Sequence, residues 1–158
     1  MKYKIIVLDL DGTLTNSKKE ISAPTLEALI DIQKQGYKVI LASGRPTPGV
    51  TKLATQVQLD KFGGYILSYN GAKIINCKTN EVIFQKTLPI NVIPDLYNAA
   101  VEANVGIISY DEGKVIIGRE IDEYIELEGR INGIELCKVD NFVEYLNFPV
   151  NKCLMTGS

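Results

Sequence analysis

The apolar run Ile5-Ile6-Val7-Leu8 stops abruptly at Asp9-Leu10-Asp11-Gly12-Thr13. A short unbroken aliphatic run closed by a polar turn predicts a fully buried strand over Lys4 to Leu8. Side chains alternate along a strand, so Asp9 and Asp11 can share one direction while Leu10 turns back into the core. Two like charges set side by side need a physical reason, and a bound cation is the commonest. A carboxylate nucleophile, a second carboxylate for proton transfer and an oxygen-rich place for Mg²⁺ all fit this spacing.

Composition removes many alternatives. The chain of 158 residues has room for one ordinary domain, or for a small domain and part of another. Its 46% hydrophobic and 23% charged residues describe a globular protein rather than a disordered one. A net charge of −2 gives no electrostatic case for nucleic acid or for an anionic membrane. The sequence has no histidine, which excludes a histidine general base, histidine-ligated zinc and a Ser-His-Asp triad. Cys77, Cys137 and Cys153 are far apart and form no CxxC pair, so they read as three reduced thiols. No signal peptide or membrane-spanning run is legible, and the cytoplasm is the expected location.

Along the chain, Ser22-Ala23-Pro24 opens a helix carrying Leu26, Leu29, Ile30 and Gln33 at helical spacing, and Gly36 ends it. Tyr37 to Ala42 predicts a second buried strand, closed by Ser43-Gly44-Arg45-Pro46. Pro48 to Gln58 predicts a helix with Val50, Leu53, Ala54 and Val57 on one face, and Tyr65 to Tyr69 a third strand. Asn70-Gly71 is a hairpin signal, followed by short strands over Lys73 to Asn76 and Val82 to Gln85. This β-α-β-α-β order, with a hairpin appended, predicts an α/β, Rossmann-like core with connections typical of a doubly wound parallel sheet, over residues 1–86.

From residue 87 the pattern changes to α+β. Helices are expected over Asp95 to Asn104, Arg119 to Glu128 and Phe142 to Leu146. Strands are expected over Gly106 to Tyr110, Lys114 to Ile117 and from Lys152 to Met155, with Asp111-Glu112-Gly113 as a hairpin turn. The acidic positions Asp122, Glu123, Glu126 and Glu128 are expected on a solvated helix face, and Tyr110 and Tyr124 in packing roles.

In an open parallel α/β sheet, ligands bind beyond the carboxyl ends of the strands. Three predicted strands end there in useful turns: Asp9, Asp11, Gly12 and Thr13; then Ser43, Gly44 and Arg45; then Asn70 and Gly71. Ser43, the glycine backbones and Mg²⁺ suit a phosphate, and Arg45 offers a fork of donors for a charged substrate group. A carboxylate that donates a proton near neutral pH needs a raised pKa, which a neighbouring carboxylate favours and a metal opposes.

Asp9-Leu10-Asp11-Gly12-Thr13-Leu14 resembles the first motif of the haloacid dehalogenase superfamily of phosphatases. Ser43-Gly44-Arg45 resembles its second motif, and Asn70-Gly71-Ala72 is similar to the turn after the third strand in the Cof-type, sugar phosphatase-like subfamily. The resemblance implies that Asp9 takes the phosphoryl group as an aspartyl-phosphate and that Asp11 protonates the leaving oxygen, then activates water. It implies Mg²⁺ on the Asp9 carboxylate and the Asp11 carbonyl, Thr13 fixing the loop, and Ser43 on the phosphoryl oxygens. Residues 87–158 match the organisation of part of a substrate-selecting cap. The implied substrate is a small phosphorylated metabolite, with sugar phosphates, pyridoxal phosphate and flavin phosphates all open.

The family's third-motif lysine and fourth-motif acidic cluster have no counterpart in the sequence. An N-terminal fragment is therefore expected, with the Asp9 strand at an exposed sheet edge through which copies could associate. The competing class is a binding module: a phosphate- and Mg²⁺-binding domain without turnover, or a receiver-like signalling domain. A receiver needs an acceptor aspartate after the third strand, where this chain has Ser68-Tyr69-Asn70. A dinucleotide-binding domain is weaker still, because no GxGxxG follows the first strand.

Overall fold

A computed structural model describes residues 4–157. They form two compact units that divide between Gln85 and Lys86.

The first unit is built on a five-stranded sheet ordered β1-β2-β3-β4-β5. Its strands are β1 (Ile5–Asp9), β2 (Lys38–Ala42), β3 (Tyr65–Ser68), β4 (Lys73–Asn76) and β5 (Glu81–Gln85). The first three run parallel, with Asp9 level with Ala42 and Ala42 level with Leu67, so their carboxyl ends finish side by side. The hairpin β4–β5 continues the sheet antiparallel from β3.

Helices connect the parallel strands. Helix α1 (Ala23–Lys34) starts where Ser22 accepts the Thr25 N–H, with Pro24 in the first turn, where its missing N–H costs nothing. Helices α2 (Thr47–Gln56) and α3 (Leu59–Phe62) link β2 to β3. Both crossovers step the same way along the sheet, and right-handed crossovers then deliver both helices to one face. The core is accordingly one-sided: Leu29 from α1 and Val50, Leu53 and Ala54 from α2 pack with Leu10, Val39, Leu41 and Ile66. The amide of Gln33 in α1 donates to the Val57 carbonyl beyond α2, joining the two connections.

Strand β1 departs from the fully buried strand expected of its apolar run and is the exposed sheet edge also expected of it. It has a neighbour only on its β2 side among the described residues, and Ile5 and Val7 are each 56% exposed. An unbroken apolar run cannot distinguish a strand covered on both faces from one whose second face stands open. Asp9 falls on the same alternation as Ile5 and Val7, opposite to Leu8 and to the buried Leu10.

The second unit holds a four-stranded sheet ordered β8-β7-β6-β9, formed by β6 (Gly106–Asp111), β7 (Lys114–Ile117), β8 (Glu135–Lys138) and β9 (Leu154–Thr156). Strands β7 and β8 are parallel, and the other pairs are antiparallel. Helices α4 (Ile93–Glu102) and α6 (Phe142–Tyr145) contribute Ile93, Ala100 and Phe142 to a core shared with Ile107 and Ile116.

Helix α5 (Glu123–Asn132) lies four residues later than the expected Arg119–Glu128. The reason is local: Asp122 is the N-cap, accepting the Ile125 N–H at 2.8 Å and the Thr156 hydroxyl at 2.6 Å. The left-handed Gly133 ends the helix. The acidic run is thus only partly solvated, since Glu128 also accepts the Tyr110 hydroxyl at 2.6 Å. Replacing Asp122 with Ala should lower stability by about 1–2 kcal/mol, whereas Glu126→Ala should stay within about 0.5 kcal/mol. Urea unfolding of both variants checks this, and equal losses would contradict the cap.

Candidate active site

The turn after β1 is closed by its own backbone. The Leu14 N–H donates to the Asp9 carbonyl, and the Thr15 N–H and hydroxyl both donate to the Leu10 carbonyl at 2.9 Å. Gly12 makes the bend at φ +80°, a region that disfavours a side chain. Leu10 is anchored in the core at no exposure, while Asp9, Asp11 and Thr13 are exposed.

The second turn is bound to the first through charge. The Arg45 guanidinium meets Asp11 side-on, Nε to Oδ2 at 2.9 Å and Nη2 to Oδ1 at 2.7 Å. Its remaining terminal nitrogen reaches the Gly49 carbonyl at 3.4 Å. Arg45 is only 7% exposed, and a cation held so far from water requires such partners. Three of the five N–H donors of the fork expected to face a substrate group are thus turned to Asp11 and Gly49 in this structure.

The third turn is bound to the second through the backbone. The Asn70 N–H donates to the Ser43 carbonyl at 3.1 Å, the Tyr69 N–H to the Arg45 carbonyl at 2.9 Å, and the Ser43 N–H to the Leu67 carbonyl at 2.9 Å. The expected Asn-Gly hairpin is present, with Tyr69, Asn70 and Gly71 all at positive φ. The Asn70 amide lies across Gly44, where an added Cβ would stand 2.8 Å from Asn70 Oδ1. Ser43 is buried, and its hydroxyl oxygen accepts the Arg45 N–H at 3.2 Å. Helix α2 is tied in by the Thr47 and Ser68 hydroxyls, 2.8 Å apart.

Asp11, Ser43, Arg45 and Asn70 are therefore linked through one hydrogen-bonded assembly at the strand ends, with Gly44 beneath the Asn70 amide and Gly71 next to Asn70 in the turn. Asp9 and Thr13 sit in the same β1 turn without side-chain partners among the described residues. One member was not legible in sequence: the Lys19 ammonium lies 2.8 Å from Asp11 Oδ1. It stands eight residues beyond Asp11 in a polar stretch with no motif, and only the folded loop brings the two together.

The two cations settle the electrostatics of Asp11. Hydrogen bonding to Arg45 holds its pKa down at about 2, against partial burial, and Lys19 adds to the effect. In this arrangement Asp11 is ionised at neutral pH, the reverse of the raised pKa that a resting proton donor needs.

Among the described residues, no group of three or more carboxylate, thiol or imidazole side chains comes together to hold a metal ion. The β1 turn offers hard oxygen instead. The Asp9 and Leu10 carbonyls are taken by the loop, while among the described residues the Asp11 carbonyl and the Asp9 carboxylate accept no hydrogen bond. A carboxylate and a carbonyl, completed by water and substrate phosphate, make the partial oxygen set that Mg²⁺ commonly accepts.

Comparison with known proteins agrees with this reading of the motifs. Residues 6–158 match the haloacid dehalogenase-like hydrolases. The chain belongs to that family. It is 31% identical over 135 residues to YxeH of Bacillus subtilis, provisionally named a phosphatase, covering 85% of this chain and 50% of that one. It is 30% identical to YitU of the same organism, a 5-amino-6-(5-phospho-D-ribitylamino)uracil phosphatase, over 66% of this chain and 38% of that one. A haloacid dehalogenase-like hydrolase from Bacteroides thetaiotaomicron superposes with a TM-score of 0.92 at 46% identity, covering 99% of this chain and 59% of that chain. The chain thus spans about half the length of the curated relative YxeH.

The site makes a linkage prediction. The folded-state pKa of Asp11 lies below its ordinary value of 3.8, so the ion pairs stabilise the fold above that value. Their contribution is lost as pH falls from about 4 toward 2. Asp11 is part-exposed, so the effect should stay under about 1 kcal/mol. Denaturant midpoints across that window should fall less steeply for Asp11→Asn than for the wild type, and parallel curves would contradict the pairing. Gly44→Ala should displace the Asn70 side chain, seen as a shifted Asn70 amide signal by NMR. An unmoved signal would contradict the close approach.

Proposed function

We propose that this protein is a Mg²⁺-dependent phosphatase of small phosphorylated metabolites, working through a phosphoryl group carried by Asp9. The observation that carries the reading is the joining of the Asp9-Leu10-Asp11-Gly12-Thr13 turn to the Ser43-Gly44-Arg45 turn by the Asp11–Arg45 pair, within a chain of this hydrolase family.

In this reading a carboxylate oxygen of Asp9 attacks phosphorus. The bond from phosphorus to the leaving oxygen breaks, its electron pair goes to that oxygen, and the oxygen takes a proton from Asp11. Asp11 then accepts a proton from water as the water oxygen attacks phosphorus, and the bond to Asp9 breaks. Phosphate is released and both carboxylates return to their starting states. Ionised Asp11, as held by Arg45 and Lys19, is the form required for the second step. For the first step, the negative charge of a bound phosphate beside Asp11 opposes the two cations and raises its proton affinity.

Ser43 and the backbone at Gly12 and Gly44 would donate hydrogen bonds to the phosphoryl oxygens, and Thr13 would hold the turn. Asn70 and Gly71 would border the substrate. The Asp9 carboxylate and the Asp11 carbonyl would hold Mg²⁺, which when bound neutralises charge on the phosphoryl oxygens.

The substrate class is supported by YitU, whose name specifies a phosphorylated ribitylaminouracil. Sugar phosphates and other phosphorylated small metabolites fall within the same chemistry. Residues 87–158 would supply substrate selection as a cap. No helix among the described residues is long and apolar enough to cross a membrane, and its three cysteines are free, which supports a cytoplasmic setting.

Release of phosphate from p-nitrophenyl phosphate tests the reading. Activity should require Mg²⁺, be abolished by excess chelator, and fall at least about a thousandfold in Asp9→Asn. Mg²⁺-dependent binding of inorganic phosphate without turnover, by a folded sample, would favour the non-catalytic binding module.

A further inference from the structure

We propose that Lys19 is a positioning residue for Asp11, acting with Arg45 to fix which carboxylate oxygen handles the proton. The inference rests on the phosphatase reading above. Lys19 and Arg45 both donate to the same oxygen, Oδ1, at 2.8 and 2.7 Å. Oδ2 accepts only from Arg45 Nε, at 2.9 Å, among the described residues. Oδ1 is saturated by two cationic donors, and Oδ2 keeps a lone pair open. The proton that passes to the leaving oxygen therefore passes through Oδ2.

The loop that carries Lys19 is built to present it. Asn16 closes the loop on itself: its side-chain oxygen accepts the Lys18 and Glu20 N–H groups at 2.9 and 3.1 Å. Its own N–H donates to the Glu20 carbonyl, and its carbonyl accepts the Lys19 N–H. Within that ring Lys19 adopts φ 63°, a left-handed conformation that costs energy for a residue with a Cβ. Glycine or asparagine would fill the position more cheaply. An ion pair with both side chains about 40% exposed returns little folding stability. Stability alone therefore gives no reason for a strained lysine here, and orientation of Asp11 does.

The two chemical steps separate the possibilities. Departure of p-nitrophenolate needs little proton assistance, whereas departure of phenolate or an alkoxide needs a well-placed acid. Both substrates share the hydrolysis of the same phosphorylated Asp9. Lys19→Met, Lys19→Arg and wild type are compared on p-nitrophenyl phosphate and phenyl phosphate.

The expected result is that Lys19→Met lowers kcat on phenyl phosphate at least about tenfold, and on p-nitrophenyl phosphate about threefold or less. KM should stay within about twofold, and Lys19→Arg should restore most of the loss. Equal losses on both substrates, a rise in KM alone, or no change would overturn the proposal. A rise in KM alone would make Lys19 a direct phosphate contact instead.

A readout that needs no turnover keeps the proposal separate from the reading beneath it. The Asp11 carboxyl ¹³C signal should shift in Lys19→Met and return toward wild type in Lys19→Arg. If wild type hydrolyses neither substrate, the phosphatase reading fails, and this signal still decides whether Lys19 orients Asp11. An Asp11 signal unmoved by Lys19→Met would overturn the inference whatever the activity.

Discussion

The arrangement of this protein's strand ends depends on one carboxylate. Asp11 receives the buried Arg45 guanidinium from the turn after β2 and the Lys19 ammonium from its own loop. Without Asp11, Arg45 would be a nearly buried cation with only a carbonyl for company, which is a costly state. The pair therefore does more than neutralise charge. It links the turn after β1 to the turn after β2, and the backbone bonds from Asn70 and Tyr69 link that turn to the one after β3. Three turns far apart in sequence are held as one surface because the parallel register of β1, β2 and β3 ends them at the same level.

This construction separates the two aspartates chemically. Asp11 is bound by cations on both oxygens, while Asp9, two residues earlier, has no side-chain partner among the described residues and ends the exposed alternation of β1. The contrast suits the roles proposed for them, since a nucleophile must reach its target and a proton-transfer group must be aimed. The buried Leu10 between them fixes the spacing, since its side chain fills the core and the flanking carboxylates are turned outward.

Much of this was legible in sequence, for physical reasons. Alternation and apolar runs located β1, β2 and β3, and Ser22 announced the start of α1 because capping chemistry is local. The Asp-Gly, Ser-Gly and Asn-Gly turns pointed to one surface because strand ends of a parallel sheet share a side. What failed was non-local. The apolar run of β1 reads locally as a buried strand, and the exposure of Ile5 and Val7 follows instead from its place at the edge of the sheet, which the missing motifs already implied. The pairing of Arg45 with Asp11 is not legible because it spans 34 residues. Helix α5 was placed too early because Asp122, its cap, stood inside a run of acids that resembled a helix face. Strand β8 was missed because Glu135-Leu136-Cys137-Lys138 is short and weakly apolar, and it is a strand through its pairing with β7.

The proposed function requires that Asp9 carry a phosphoryl group during turnover. The most direct measurement is mass spectrometry of the protein quenched in acid during steady-state hydrolysis of a phosphate monoester. One added phosphoryl group is expected on the peptide containing Asp9, removed by hydroxylamine as an acyl phosphate should be, and absent in Asp9→Asn. Turnover with no covalent phosphoryl group, or with one on another residue, would contradict it.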